Sequence, residues 1–207
     1  MRIAQQFGHW TDQDRPRTRQ YQGMDQSSEN YKLHDHILDD LVRIVRWAPI
    51  LDLCCSMDGL NSLAPLYFDA SQDALRQLEH IQGQDVLCNP PFSLVQDFVH
   101  LLEQAYLANH HTRGLLVVPD RFNQGWCQAL KRNPVFRLIE IYPHDCPIFS
   151  GYDASHPLDR PIFASNNSRI LVFELNERPA HDRKIDFARL LRPDYPVVAE
   201  MRRLGYL

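Results

Sequence analysis

The chain has 207 residues, 44% hydrophobic and 23% charged, which suits one globular domain with an ordinary core. A formal net charge of −4 excludes a globally basic nucleic-acid binder, so any such contact must come from local patches. No apolar run approaches the roughly 18 residues that span a bilayer, no signal-peptide core opens the chain, and its five cysteines form no C-x-x-C pair. An intracellular, soluble protein with reduced thiols is therefore expected.

Residues 1–30 are polar and of mixed charge, and are expected to form a flexible arm. Arg15, Arg17 and Arg19 are available to a phosphate backbone, whereas Asp12, Asp14 and Asp25 offset them as in a solvated tail. Ile37, Leu38, Leu41, Val42 and Val45 recur at helical spacing over 34–47, and Pro49 closes the segment. A short buried-strand signal follows at Ile50–Cys55, ending in the turn residues Ser56-Met57-Asp58-Gly59. A second short strand is expected at Leu66–Phe68. After Asp69, Ser71 is placed to cap a helix bearing Ala74, Leu75, Leu78 and Ile81, with Gly83 at its stop.

The stretch Asp85–Ser93 (DVLCNPPFS) runs from an apolar strand straight into a stiff loop. Pro90 and Pro91 fix their own φ angles and push each preceding residue towards extended geometry. Ser93–Gln96 reads as a capping box, opening a helix whose apolar face runs from Leu94 to Tyr106. Gly114–Val118 is a continuous apolar run of the kind found in a central parallel strand. A loop and a short helix around Trp126–Arg132 follow, then a strand at Val135–Tyr142, an irregular segment at 143–168 and a last strand at Ile170–Leu175. The charged remainder is expected to pack on the domain through Tyr195, Val197, Val198 and Leu204.

Alternating strands and helices predict an α/β fold with a mostly parallel sheet, helices on both faces, and the last two strands antiparallel at one edge. The NPPF loop then lies at the carboxyl end of a strand, where open α/β sheets bind ligands. Its chemistry suits a planar amine. The Asn89 side-chain carbonyl and the Pro90 backbone carbonyl can accept both amine protons as the nitrogen turns tetrahedral. Phe92 offers a face for a flipped base. The plainer alternative is a rigid strand-to-helix turn, since Asn-Pro is a common turn initiator.

The segment Asp52–Phe98 resembles the phage-type, Dam-like DNA adenine-N6 methyltransferases. The shared pattern is Asp52-Leu53-Cys54-Cys55-Ser56, Asn61, Tyr67-Phe68, Asp73-Ala74-Leu75 and Cys88-Asn89-Pro90-Pro91-Phe92. Upstream, Tyr31–Leu41 looks like the family's lead-in helix. Downstream, Arg160-Pro161-Ile162-Phe163 looks like its R-x-x-F step. The likeness spans about two-thirds of the chain.

The resemblance implies a Rossmann-like class I methyltransferase domain over 31–176, followed by an extension at 177–207. It implies S-adenosylmethionine as cofactor and a flipped adenine in DNA as partner. Asn89, Pro90, Pro91 and Phe92 would be catalytic. Asp52, Cys54, Cys55, Ser56 and Asp69 would hold the cofactor, with Asp52 towards its cationic end and Asp69 accepting ribose hydroxyls. As alternatives, Asp52 caps a loop and Asp69 serves a helix approach. The turn Cys54–Gly59 lacks a G-x-G, and only 37 residues separate Asp52 from Asn89. A βαβ unit takes about 30 residues, so the front of the sheet must be compressed, as it is in the phage-type relatives.

Arg121, on the loop after Gly114–Val118, is placed to meet a phosphate or a surface carboxylate. Phe163 is placed to pack on the target base, on the cofactor or in the core. His144, Cys146 and His156 match no common zinc spacing, and no metal is expected. The expected activity is methyl transfer to adenine N6 in DNA. Other readings are methylation of RNA bases or a glutamine amide, and a degenerate methyltransferase fold acting as a binding module.

Overall fold

The computed structural model describes residues 31–56, 59–143, 146, 148–151, 161–162 and 169–175. The expected arm, the C-terminal extension and Phe163 lie outside these residues. The protein is an α/β fold built on a six-stranded mixed sheet. In chain order its elements are β1 (Tyr31–Leu33), α1 (Asp35–Val45), β2 (Leu51–Cys55), β3 (Leu66–Asp69), α2 (Leu78–Ile81), β4 (Asp85–Cys88), α3 (Val95–Ala108), β5 (Arg113–Pro119), α4 (Gly125–Arg132), β6 (Phe136–Tyr142), β7 (Phe149–Gly151), β8 (Pro161–Ile162) and β9 (Ile170–Leu175).

The main sheet has the order β3-β2-β4-β5-β9-β6. β3, β2, β4 and β5 are mutually parallel. β9 pairs antiparallel with both β5 and β6. The last two long strands are therefore antiparallel, as expected, but the antiparallel strand is not the edge. β9 inserts between β5 and β6, so that β6 is the edge strand and runs parallel to β5. Inserted there, β9 gains ladder hydrogen bonds on both sides, and its residues are all buried.

Strand alternation divides the interior between two faces. Val86, Cys88, Leu116, Val118, Leu171 and Phe173 join α3 and α4 on one face. Leu87, Leu115, Val117, Ile170 and Val172 join α1 on the other. Ile37, Leu41 and Val45 recur every four residues and supply α1's buried stripe. Full burial of each such side chain is worth about 1.5–3 kcal/mol. α1 ends at Arg46, which adopts a left-handed φ of 66°, rather than at Pro49.

Several local expectations are corrected. Tyr31–Leu33 begins not a helix but a strand, which pairs with β7. β7 also pairs with β8, so the segment 143–168 contributes two strands to a second, three-stranded sheet. The helix expected from Ser71 is broken into a 3-10 turn at Ala74–Arg76 and the single turn of α2. The cap belongs to Asp69, whose Oδ1 accepts from Ser71 N, Ser71 Oγ and Gln72 N. That closes a local loop where the helix would have started, and Asp73 then takes a positive φ of 49°. The N-cap of α3 is Leu94 rather than the expected Ser93. A 3-10 turn at Phe92–Leu94 precedes α3, and no side chain caps the helix at Leu94.

The compressed front of the sheet is present. β2 pairs directly with both β3 and β4, and no helix separates β2 from β3 among the described residues.

Candidate active site

Parallel strands end on one edge. The carboxyl ends of β2, β3, β4 and β5 therefore bring together the turn after Cys55, Asp69, the NPPF loop and the Asp120–Arg121 loop. The start of β9 returns to the same edge, where Pro119 pairs with Ile170.

The NPPF loop leaves β4 at Cys88, which is fully buried. Asn89 is half-buried and Pro90 is buried. Pro91, at φ −49° and ψ 133°, accepts Leu94 N–H at 2.8 Å, which turns the chain into α3. Phe92 is half-buried and packs on the α1-side core. One flank of its ring is thereby held by the fold.

β2 ends beside this loop. The Sγ atoms of Cys54 and Cys88 lie 3.9 Å apart. Burial first, and then the Cys88 sulfur, push the Cys54 thiol well above its ordinary range, against the pull of the Asn89 backbone N–H. Both cysteines are free thiols.

Asp52 is buried at 5% exposure. Its Oδ1 accepts Cys54 N–H at 3.1 Å and its Oδ2 accepts Leu63 N–H at 3.2 Å. Burial raises its carboxyl to about 6, although both N–H groups favour the charged form. Asp52 therefore ties the two ends of the turn together from beneath.

Asn61 completes that turn. It is 7% exposed, and its Oδ1 accepts from Ser56 N at 2.7 Å, Ser56 Oγ at 2.8 Å and Cys55 Sγ at 3.0 Å. Its Nδ2 has no partner among the described residues. Burial, and secondarily the Asp52 charge, push the Cys55 thiol up to about 11. Gly59 supplies the left-handed residue at φ +72°, and a Cβ there would lie 2.7 Å from the Tyr67 hydroxyl oxygen. One glycine, covered by a tyrosine, thus stands where a G-x-G was missing.

Asp69 pairs in register with Cys55, so the ends of β2 and β3 are adjacent. The Ser71 hydroxyl, against the opposing effect of burial and with help from the Ser71 and Gln72 backbone N–H groups, holds its carboxyl below the usual range. Its Oδ2 has no bond among the described residues.

At the end of β5, Asp120 is buried and anchors three elements. Its Oδ1 accepts Lys131 Nζ at 2.6 Å and its Oδ2 accepts an Arg169 guanidinium nitrogen at 2.7 Å. Its backbone N–H reaches Arg169 O at 2.7 Å. Burial works against its charge, but Lys131 and Arg169 outweigh it and hold the carboxyl below its ordinary value. Arg121, next in the chain, is exposed.

The structure thus gathers Asp52, Cys54, Cys55, Ser56, Asp69, Asn89, Pro90, Pro91, Phe92 and Arg121 on one sheet edge. Phe163 lies outside the described residues. Asn61 and Asp120 are the additions to the expected set. Asn61 stood in the family-like pattern without an assigned role, and Asp120 is the carboxylate that directly follows the run Gly114–Pro119. Among the described residues no His, Cys, Asp and Glu cluster is placed to hold a metal ion, and no helix is long and apolar enough to cross a membrane. No family model matches the chain, and no curated protein matches it.

Proposed function

We propose that the chain is an S-adenosylmethionine-dependent methyltransferase acting on the N6 amine of adenine in DNA. One observation carries this reading: the rigid Asn89-Pro90-Pro91-Phe92 loop leaves β4 directly beside the carboxyl end of β2 at Cys54–Ser56. A planar-amine acceptor and a polar shelf are then neighbours at the ligand-binding edge of an α/β sheet.

The shelf's free polar atoms fit the cofactor. Asn61 Nδ2 is an uncommitted donor suited to a carboxylate, and Asp69 Oδ2 is an uncommitted acceptor suited to ribose hydroxyls. Asp52 serves the shelf by holding Cys54 and Leu63 in place. When bound, S-adenosylmethionine supplies an electrophilic methyl group on a sulfonium. The chain's own part is to prepare the amine. Asn89 and Pro90 offer carbonyl oxygens to its two protons, which drives the nitrogen towards tetrahedral geometry and frees its lone pair. Phe92 gives the base a surface on which to stack. Pro90 and Pro91 keep those carbonyls from relaxing away.

Titration calorimetry with S-adenosylmethionine tests the reading at its first step. Saturable heat in the wild type, weakened in Asn61→Ala, supports it. No detectable heat from the folded wild type overturns every enzymatic version and leaves only a binding module.

A further inference from the structure

The loop after β5 carries two side chains that the fold does not use. Phe122 is 69% exposed, more than any other large hydrophobic residue described. Arg121 is exposed, and its guanidinium makes no hydrogen bond or ion pair among the described residues. Their backbone, by contrast, is tied down. Gln128 Nε2 donates to Phe122 O at 2.6 Å, and Gln124 N–H donates to Arg121 O at 2.8 Å. Beneath them sits Asp120 with its bonds to Lys131 and Arg169. The ring is thus held in water on a tethered loop, next in the chain to a guanidinium with no ion pair among the described residues.

Charge narrows the ligand. Lys131 and Arg169 both pair with the single Asp120 carboxylate and Arg121 follows it in the chain, so these four residues carry an excess of two positive charges (three minus one) in a chain of net −4. An exposed aromatic beside a cationic cluster suits stacked bases on a phosphate backbone. The loop also shares its sheet edge with the NPPF loop, through the parallel pairing of β4 and β5.

We propose, resting on the methyltransferase reading, that Phe122 and Arg121 form a DNA contact: the ring stacks on an unstacked base and the guanidinium meets a phosphate, both positioned by the Asp120 clamp.

The experiment is fluorescence anisotropy of a labelled short DNA duplex titrated with the full chain over a salt series. Phe122→Ala should weaken binding about tenfold, and Phe122→Trp should stay within about twofold of wild type. Arg121→Ala should weaken binding and lower the slope of log affinity against log salt by about one. Leu107→Ala, at an exposed apolar position on α3, should change nothing. Wild-type affinity and salt slope in both Phe122→Ala and Arg121→Ala overturn the proposal, as does an equal loss in Leu107→Ala. Tighter binding to an RNA duplex of the same sequence, with the same losses, overturns DNA as the occupant. Methyl transfer to DNA by the wild type, with unchanged affinity in the variants, sinks this contact alone. The expected losses without any methyl transfer uphold the contact and sink the enzymatic reading.

Discussion

Cys54 and Cys88 meet sulfur to sulfur at 3.9 Å, across the carboxyl ends of two adjacent parallel strands. This contact joins the turn after β2 to the loop after β4, and each is stiffened from its own side. The turn is held by Asp52 and Asn61, and the loop by its two prolines. Neither sulfur is placed as a nucleophile. Native protein at neutral pH should resist iodoacetamide at Cys54, Cys55 and Cys146, whose thiols are all pushed up by burial, Cys146 to about 12. Mass spectrometry should find them modified only after denaturation. Rapid native labelling of Cys54 would contradict the described packing.

Asn61 holds the turn through one oxygen with three donors. Asn61→Ala leaves those donors unsatisfied in a buried place. It should cost about 1–3 kcal/mol in chemical denaturation, besides weakening cofactor binding. A variant as stable as wild type would show that the turn does not depend on this residue.

Asp52 gives stability a definite pH dependence. Its carboxyl is raised to about 6 in the fold from an ordinary 3.8, so between those values the folded state binds more protons than the unfolded chain. Stability from this group is therefore fully present below pH 4 and is lost as pH rises towards 6. The wild type should lose about 2–3 kcal/mol relative to Asp52→Asn over that window. Asp120 acts in the opposite sense. Its carboxyl is lowered, so its contribution is present at neutral pH and fades on acidification below the ordinary carboxylate range. A flat difference between wild type and Asp52→Asn from pH 4 to 6 would rule out the buried carboxylate.

At the far end of the sheet, Glu174 is fully buried between Trp47 Nε1, at 3.1 Å, and Arg137. Arg137→Met strands that charge and should destabilise the fold by about 3–5 kcal/mol. Arg137→Met combined with Glu174→Leu should recover most of the loss. Equilibrium denaturation of the single and double variants measures this, and a cost below about 1 kcal/mol for the single variant would refute the pairing.

Long periodic stretches were legible in the sequence. The run Gly114–Val118 and the helix bearing Phe98, Leu102 and Ala105 stand where their patterns put them, because burial sets those patterns directly. The two- and three-residue strands β1, β7 and β8 are too short to show a period. The insertion of β9 between β5 and β6 is set by pairing between segments far apart in the chain, which no local pattern records. The broken helix at 71–81 was misread because Asp69, two residues before the expected cap, takes the same backbone donors. At the candidate site, the strand-to-loop step at Asn89-Pro90 was legible from residue type, whereas Cys54–Ser56 were singled out only through the family resemblance. The locking roles of Asn61, and of Tyr67 over Gly59, required the fold.

The most direct test of the central proposal is mass analysis of adenine in DNA incubated with the purified chain and S-adenosylmethionine. The wild type should raise N6-methyladenine well above a protein-free control. Asn89→Ala, folded and still binding the cofactor, should leave it at the control level. Wild-type protein that binds cofactor and DNA but adds no methyl group, or Asn89→Ala that methylates as well as wild type, would contradict the assignment of the NPPF loop.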